Sequence, residues 1–171
     1  MSIEINIRKA MVNDAEQIIK HIKRILKENP SFMATTVEEF TVSVVEQREK
    51  IVNCSERGLM LVAEQENQII GILDFHLSSR KRFSHQGLFG ISIQETFANK
   101  GIGTCLIKKL LEWARKQEHI EKISLEVFSN NERAIHLYTK LGFKEEGRRH
   151  KQVKFGPNEY VDDIIMSQFV K

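Results

Sequence analysis

The stretch FANKGIGTCLIKKLLEWA, Phe97–Ala114, decides how the rest of the chain is read. Ile102, Leu106, Leu110 and Ala114 form one stripe at helical spacing, with Ile107 and Leu111 beside it. A helix with one broad apolar face is therefore predicted from Ile102 to about Gln117. Just upstream, Leu88–Ile93 (LFGISI) reads as a strand. A strand, the loop Ala98–Thr104 (ANKGIGT) and then a helix is an arrangement that binds anions. Gly101 and Gly103 let backbone N–H groups converge on a phosphate, and the helix start adds its partial positive charge. Two familiar phosphate loops fail on spacing. A Walker loop places lysine after its last glycine, whereas Lys100 precedes Gly101, and a Rossmann fingerprint needs a third glycine where Leu106 stands. By itself, GIG before a helix also reads as a tight turn.

Working outward, Ile3–Ile7 (IEINI) alternates as a half-buried strand. Asn13 or Asp14 is placed to cap a helix carrying Ile18, Ile19, Ile22, Ile25 and Leu26, which Pro30 ends. Thr36 and Glu39 resemble a capping box for a second helix through Phe40, Val44, Val45 and Ile51, closing near Gly58. Leu59–Ala63 and Ile69–Leu77 read as strands joined by the hairpin loop Glu64–Gln68, with the polar connection Ser78–Gln86 after them. Beyond the central helix come a strand at Ile123–Phe128, a helix at Asn131–Leu141 stopped by Gly142, and strands at about Lys144–Lys154 and Tyr160–Phe169 around the turn Phe155–Glu159. The order β-α-α-β-β-β-α-β-α-β-β has three consecutive strands without helices, which excludes a purely doubly wound parallel sheet. The expected fold is α/β (α+β): one domain over residues 1–171, a mixed, mostly antiparallel sheet of about seven strands, and helices on both faces.

The second informative stretch is LEVFSNNERAIHLYTKLGF, Leu125–Phe143. Ser129 and Glu132 form a capping-box pattern that puts Asn131 in the first turn. Asn131, Ala134 or Ile135, and Tyr138 then share one stripe, combining an amide, a small residue and a phenol. A core face with one tolerated asparagine is the plain alternative.

Together the two stretches resemble the GNAT superfamily of N-acetyltransferases. IRKAMVNDAEQI (Ile7–Ile18) and LVAEQENQIIGIL (Leu61–Leu73) resemble that family's first strand and helix and its second hairpin. The resemblance implies acetyl-coenzyme A as co-substrate. Its pyrophosphate would lie on Ala98, Asn99, Lys100, Gly101, Ile102, Gly103 and Thr104, and its pantetheine arm on backbone groups of Ile91 and Ile93. Asn131 would bond it beside Ala134, and Tyr138 would stand near its sulfur. Ala98 departs from the family's Arg or Gln at the loop's first position, which removes a side-chain contact and leaves the backbone donors.

Acetyl transfer to an amine needs a neutral nucleophile, a stabilised oxyanion and a proton for the leaving thiolate. The resemblance gives Tyr138 the acid's role; a backbone N–H near Ile93 could face the oxyanion. Glu126 lies mid-strand on the face opposite Ile123, Leu125 and Val127, in a strand expected to be covered on both sides. Some relatives with an LEV strand use this glutamate as base, twelve residues before the tyrosine, the spacing kept between Glu126 and Tyr138. A solvated or salt-bridged glutamate is the alternative, and Asp74 and His76, on one face of their strand, are the next candidates.

With 41% hydrophobic and 29% charged residues and a net charge of +3, the chain has an ordinary globular composition. The basic clusters Arg80–Arg82 and Arg148–Lys151 read as solvated charge rather than a nucleic-acid patch. Arg148, Arg149 and Lys151 pair plausibly across a hairpin with Asp162 and Asp163. No apolar run is long enough to span a membrane or to form a secretory signal, and no Cys/His cluster implies a metal. Cys54 and Cys105 read as buried thiols in a reducing compartment, so a cytoplasmic protein is expected. The acceptor is expected to be a small amine or amino acid, its site shaped by the second and third helices and the Ser78–Gln86 loop. Glu38 and Glu39 read as a solvated helix face, with attraction of a cationic acceptor as the alternative. A protein N-terminal or lysine acetyltransferase and a non-catalytic acyl-coenzyme A module are the alternatives. A homodimer through the C-terminal hairpin is expected by family resemblance.

Overall fold

The computed structural model describes residues 4–171. Seven strands form one sheet in the order β1-β2-β3-β4-β5-β7-β6. They are β1 (Asn6–Lys9), β2 (Gly58–Gln65), β3 (Gln68–Leu77), β4 (Gln86–Ile93), β5 (Lys122–Phe128), β6 (Lys144–Gly156) and β7 (Glu159–Phe169). Among the described residues only β4 and β5 pair in parallel, and the helix α3 (Ile102–Lys116) makes the crossover between them. The remaining helices are α1 (Ala15–Glu28), α2 (Val44–Arg57) and α4 (Glu132–Lys140). The expected mixed sheet with helices on both faces is what the chain forms. Among the described residues no helix is long and apolar enough to cross a membrane.

Strand alternation divides the core in two. Leu59, Leu61 and Ala63 of β2 turn toward α3 and α4, where Leu106, Ile107, Leu110 and Ala114 bury the central helix. Met60 and Val62 turn the other way, onto Ala15, Ile18, Ile51 and Cys54 of α1 and α2. The β2–β3 hairpin closes through Glu66 and Asn67, both at positive φ, the conformation a tight two-residue turn demands.

Several boundaries differ from the sequence reading. The first strand begins at Asn6 rather than Ile3; Ile3 itself lies outside the described residues. Thr36 and Glu39 do make their reciprocal bonds, but these hold a single turn. The box that starts α2 is Ser43–Glu46, with Glu46 N donating to Ser43 Oγ at 3.2 Å and Ser43 N to Glu46 Oε2 at 2.7 Å. A capping motif specifies a turn, and only an apolar face to bury prolongs it. Cys54 is buried as expected, but Cys105 is exposed on α3, on the face turned away from Leu106 and Ile107. β5 is not covered on both faces: α1 and α2 pack on β2, β3 and β4, and on that side β5 and β7 stay open.

The C-terminus of α4 fixes a residue that matters below. Gly142 adopts φ +96°, Phe143 N donates to Tyr138 O at 3.0 Å and Gly142 N to Thr139 O at 3.1 Å. This is a Schellman cap, whose usual apolar contact is here the Tyr138–Phe143 ring pair, 6.3 Å between centroids. A Cβ on Gly142 would also meet Gln168 Nε2 at 2.3 Å. Gly142→Ala is expected to cost about 1–3 kcal/mol, read as a lower urea midpoint at unchanged slope.

Candidate active site

β4 and β5 pair only from Gln86–Leu88 to Lys122–Ser124, and then diverge. Beneath the divergence the rings of Phe89, Tyr138 and Phe143 pack against one another, with centroids 5.6–6.3 Å apart. The opening leaves one edge of β4 without a sheet neighbour. Ser78 N donates to Gln86 O and Gln94 N to Ile70 O, so even-numbered residues of β4 bond toward β3. By the alternation of an antiparallel ladder, the carbonyl of Phe89 and the backbone groups of Ile91 and Ile93 point into the opening, beyond the last parallel bridge Leu88–Ser124. A ligand with amide groups meets there an unpaired strand edge.

At the end of β4 the chain makes a short turn, Glu95–Phe97, and passes through Asn99 at φ 59° and Gly101 at φ 78° into α3. Gly101 is the N-cap and supplies no side chain, and the first helical bond runs from Cys105 N to Gly101 O. The N–H groups of Ile102, Gly103 and Thr104 therefore remain available to an anion. Gly103 has a second role that spacing did not reveal. It is buried, and a Cβ there would press on Leu137 Cδ2 at 3.1 Å and Ile93 Cδ1 at 3.2 Å, so its smallness lets α3 pack against β4 and α4.

Asn131 is the N-cap of α4 itself, its Oδ1 accepting from Ala134 N at 3.3 Å. The expected Ser129–Glu132 box does not form. Ser129 Oγ instead accepts from Asp162 N at 2.9 Å, tying β7 to the start of α4. With its oxygen committed to the helix, Asn131 keeps its amide N–H groups for a ligand.

Two cavities meet at the opening. One, about 410 Å³, is bounded by Ile91, Ile93, the loop Ala98–Thr104 except Lys100, and Asn131, Ala134 and Tyr138. The other, about 810 Å³, lies on the uncovered face of β5 and β7 and is bounded by Asp74, Glu126, Arg149, Lys154 and Asp163. Phe32, Met33, Ile91, Ser92, Asn131 and Tyr138 border both. Lys100 stands outside the first cavity, its ammonium 5.3 Å from the centre of the Phe97 ring.

Known proteins resemble this chain in sequence and fold. The acetyltransferase (GNAT) family profile matches residues 19–143. The chain belongs to the acetyltransferase (GNAT) family, and so to a class of acetyl-coenzyme A-dependent acyltransferases. The L-amino acid N-acetyltransferase AaaT of Escherichia coli (strain K12) is 32% identical over 108 residues, which span 63% of this chain and 66% of that enzyme. The N-alpha-acetyltransferase of Sulfurisphaera tokodaii is 29% identical over 150 residues, 83% of this chain and 81% of that one. A GNAT-family acetyltransferase from Streptococcus pneumoniae superposes with a TM-score of 0.92 at 25% identity, over 98% of this chain and all of that one.

Within this candidate site, Tyr138 is 7% exposed and its hydroxyl has no hydrogen-bond partner among the described residues. Burial pushes its phenol well above the ordinary value, so it holds its proton throughout the working range. Glu126 is exposed, with its side chain 41% accessible, because the face it lies on is uncovered. Its Oε1 accepts from Arg149 Nη1 at 2.9 Å. The same Nη1 donates to Asp163 Oδ2 at 2.7 Å, across the register pair Arg149–Asp163. The expected cross-strand pairing is thus present at Arg149–Asp163 and Arg148–Asp162, while Lys151 reaches Asp162 through its backbone N–H.

Asp163 is the residue the sequence reading undervalued. It is 6% exposed, Oδ1 has no partner among the described residues, and burial, the largest effect, raises its carboxyl above the usual range despite Arg149. Asp74 borders the second cavity as well; His76, bonded to Asp74 Oδ2 at 2.8 Å and held up at about 10 mainly by that bond, does not. Neither Glu38, Glu39 nor any residue of 78–85 borders either cavity; the segment Phe32–Ala34 and the strands β6 and β7 take their expected place.

His21 of α1 is buried against β4, its Nε2 2.9 Å from Ser92 Oγ, and burial lowers its pKa to about 4. The unfolded chain binds a proton at this imidazole that the folded chain refuses, so stability is constant above about pH 6.5 and falls from there toward pH 4. The loss is at most about 3 kcal/mol. Urea unfolding across that interval is expected to show the decline, and His21→Gln to flatten it.

Proposed function

We propose that this chain transfers the acetyl group of acetyl-coenzyme A to the primary amine of a small molecule or amino acid. The observation that carries the reading is the junction of two cavities at Tyr138. One has an unpaired strand edge and a helix N-terminus, and the other is lined by three carboxylates. The first suits coenzyme A. Ile91 and Ile93 would hold the pantetheine arm by strand-like bonds, the N–H groups around Ala98–Thr104 the pyrophosphate, and Asn131 the arm's amides, while Ala134 is small enough for close approach. Acetyl-coenzyme A, when bound, supplies an activated thioester.

The second cavity suits a cationic acceptor. Asp74, Glu126 and Asp163 outnumber Arg149 and Lys154, so an ammonium is drawn in. An alkyl amine, with a pKa of about 10.4, must lose a proton before it can attack. Glu126 takes that proton, directly or through one water: Arg149 pins one of its oxygens and leaves the other free. Tyr138, a phenol kept neutral by burial, gives its proton to the departing sulfur on the opposite side of the sheet. Acceptor and acid thus approach the reacting carbonyl from opposite faces.

The likeness to an N-alpha-acetyltransferase over most of both chains supports a second reading, acetylation of a protein N-terminus. The second cavity is bordered by the exposed strand β6, where a peptide has room. Free cysteines at 54 and 105 accord with a cytoplasmic protein. A homodimer would use the edge of β6, although its three register irregularities make a long ladder there unfavourable; a light-scattering mass near twice 19.9 kDa would support it.

Release of free coenzyme A with a panel of amines, amino acids and peptides tests the whole reading. Turnover on small amines supports it, turnover on peptides alone favours the second reading, and binding without turnover indicates a non-catalytic module. Tyr138→Phe is expected to lower kcat about 10²-fold while the Kd for coenzyme A stays within about twofold. Glu126→Gln is expected to lower kcat about 10- to 10²-fold. Full turnover in Glu126→Gln together with loss in Asp163→Asn would pass the base's role to Asp163.

A further inference from the structure

A chain of hydrogen bonds runs from the interior of the sheet to the junction of the cavities. Gln94 is buried, and its Nε2 lies 3.1 Å from Ile69 O and 3.4 Å from His21 Nδ1. A backbone carbonyl can only accept, so the Gln94 atom facing it is the amide nitrogen, a donor. His21 Nδ1, facing that same nitrogen, must then be the accepting, unprotonated ring position. The imidazole proton therefore sits on Nε2 and is donated to Ser92 Oγ at 2.9 Å. An imidazolium would place two donors face to face at Gln94, and burial holds His21 neutral down to about pH 4.

Ser92 Oγ has no other hydrogen-bond partner among the described residues. It accepts from His21, so its own proton is left to point elsewhere. Ser92 borders both cavities, beside Ile91 and Tyr138. The next residue, Ile93, has its backbone N–H on the open edge of β4.

We propose that Ser92 is an aligned hydrogen-bond donor to the acetyl carbonyl oxygen, with His21 and Gln94 as the positioning residues that fix its direction. The inference rests on the acetyl-transfer reading above. An attacking amine needs its lone pair free, so a donor at the junction serves the carbonyl oxygen and not the nucleophile. As the N–C bond forms, the carbonyl π electrons move onto that oxygen, and Ser92 stabilises the charge without giving up its proton. When the C–S bond breaks, the electron pair leaves on sulfur, which is protonated by Tyr138. The amine proton goes to the carboxylate side. A donor already oriented by a bonded chain costs no reorganisation at the moment charge develops.

Binding tests this without turnover. Calorimetric titration of the wild-type chain with acetyl-coenzyme A and with free coenzyme A is expected to favour the acetylated form. In Ser92→Ala that preference is expected to shrink about three- to tenfold, while affinity for free coenzyme A holds within about twofold. With an accepted amine, kcat in Ser92→Ala is expected to fall about 10²-fold with little change in KM for acetyl-coenzyme A. His21→Asn should lower kcat in the wild-type background and leave it unchanged in the Ser92→Ala background, a coupling that a merely structural histidine would not produce. An undiminished acetyl preference in Ser92→Ala, with both forms still bound, overturns the assignment of Ser92 and leaves the enzyme reading intact. Failure of the wild-type chain to bind either form overturns the coenzyme A reading and the proposal with it.

Discussion

The divergence of β4 from β5 is the constraint on which the rest of this structure depends. Two parallel strands that begin as neighbours at Gln86 and Lys122 stay paired only as far as Leu88 and Ser124, and the rings of Phe89, Tyr138 and Phe143 pack together where they part. A sheet normally satisfies its own backbone groups, and here those of Ile91 and Ile93 are surrendered to whatever enters the gap. The gap is also a passage from one face of the sheet to the other. In the proposed mechanism it lets the acid Tyr138, buried beside Phe89 and Phe143, work on a group whose partner arrives from the opposite side.

Three local devices hold this arrangement in place. The Schellman cap at Gly142 sets Phe143 against Tyr138, so the glycine that ends α4 also orients the proposed acid. Gly103 brings α3 close enough to β4 and α4 for its free N–H groups to lie beside the opening. Ser129, bonded to Asp162 N, ties β7 to the loop that carries Asn131. Each is a backbone economy rather than a catalytic group, and each constrains a residue that contacts a cavity.

The charged residues of the second cavity exist as a cluster only because α1 and α2 stop short. They cover β2, β3 and β4 and leave β5 and β7 bare on that side. Glu126, Asp163 and Arg149 then share one wet face, with Asp74 across the gap. Arg149 serves Glu126 and Asp163 at once, so one guanidinium fixes the positions of both carboxylates.

The glycine loop, the Asn131–Tyr138 stripe and the element order were legible from residues alone, because period and turn chemistry are local properties. So was the glycine turn that leaves the N–H groups at the start of α3 without helical partners. What the sequence did not reveal depends on which surfaces meet. The Ser43–Glu46 box prevailed over Thr36–Glu39 because only the later segment had an apolar face to bury. Ser129 was taken by a strand end thirty-three residues away, leaving Asn131 to cap its own helix. The exposure of Glu126, the unpaired oxygen of Asp163 and the chain Gln94–His21–Ser92 join segments distant in sequence, His21 and Ser92 being 71 residues apart. Local pattern determined the elements and the glycine loop; only the packed sheet, by leaving one strand edge and one face uncovered, decided where the candidate site lies.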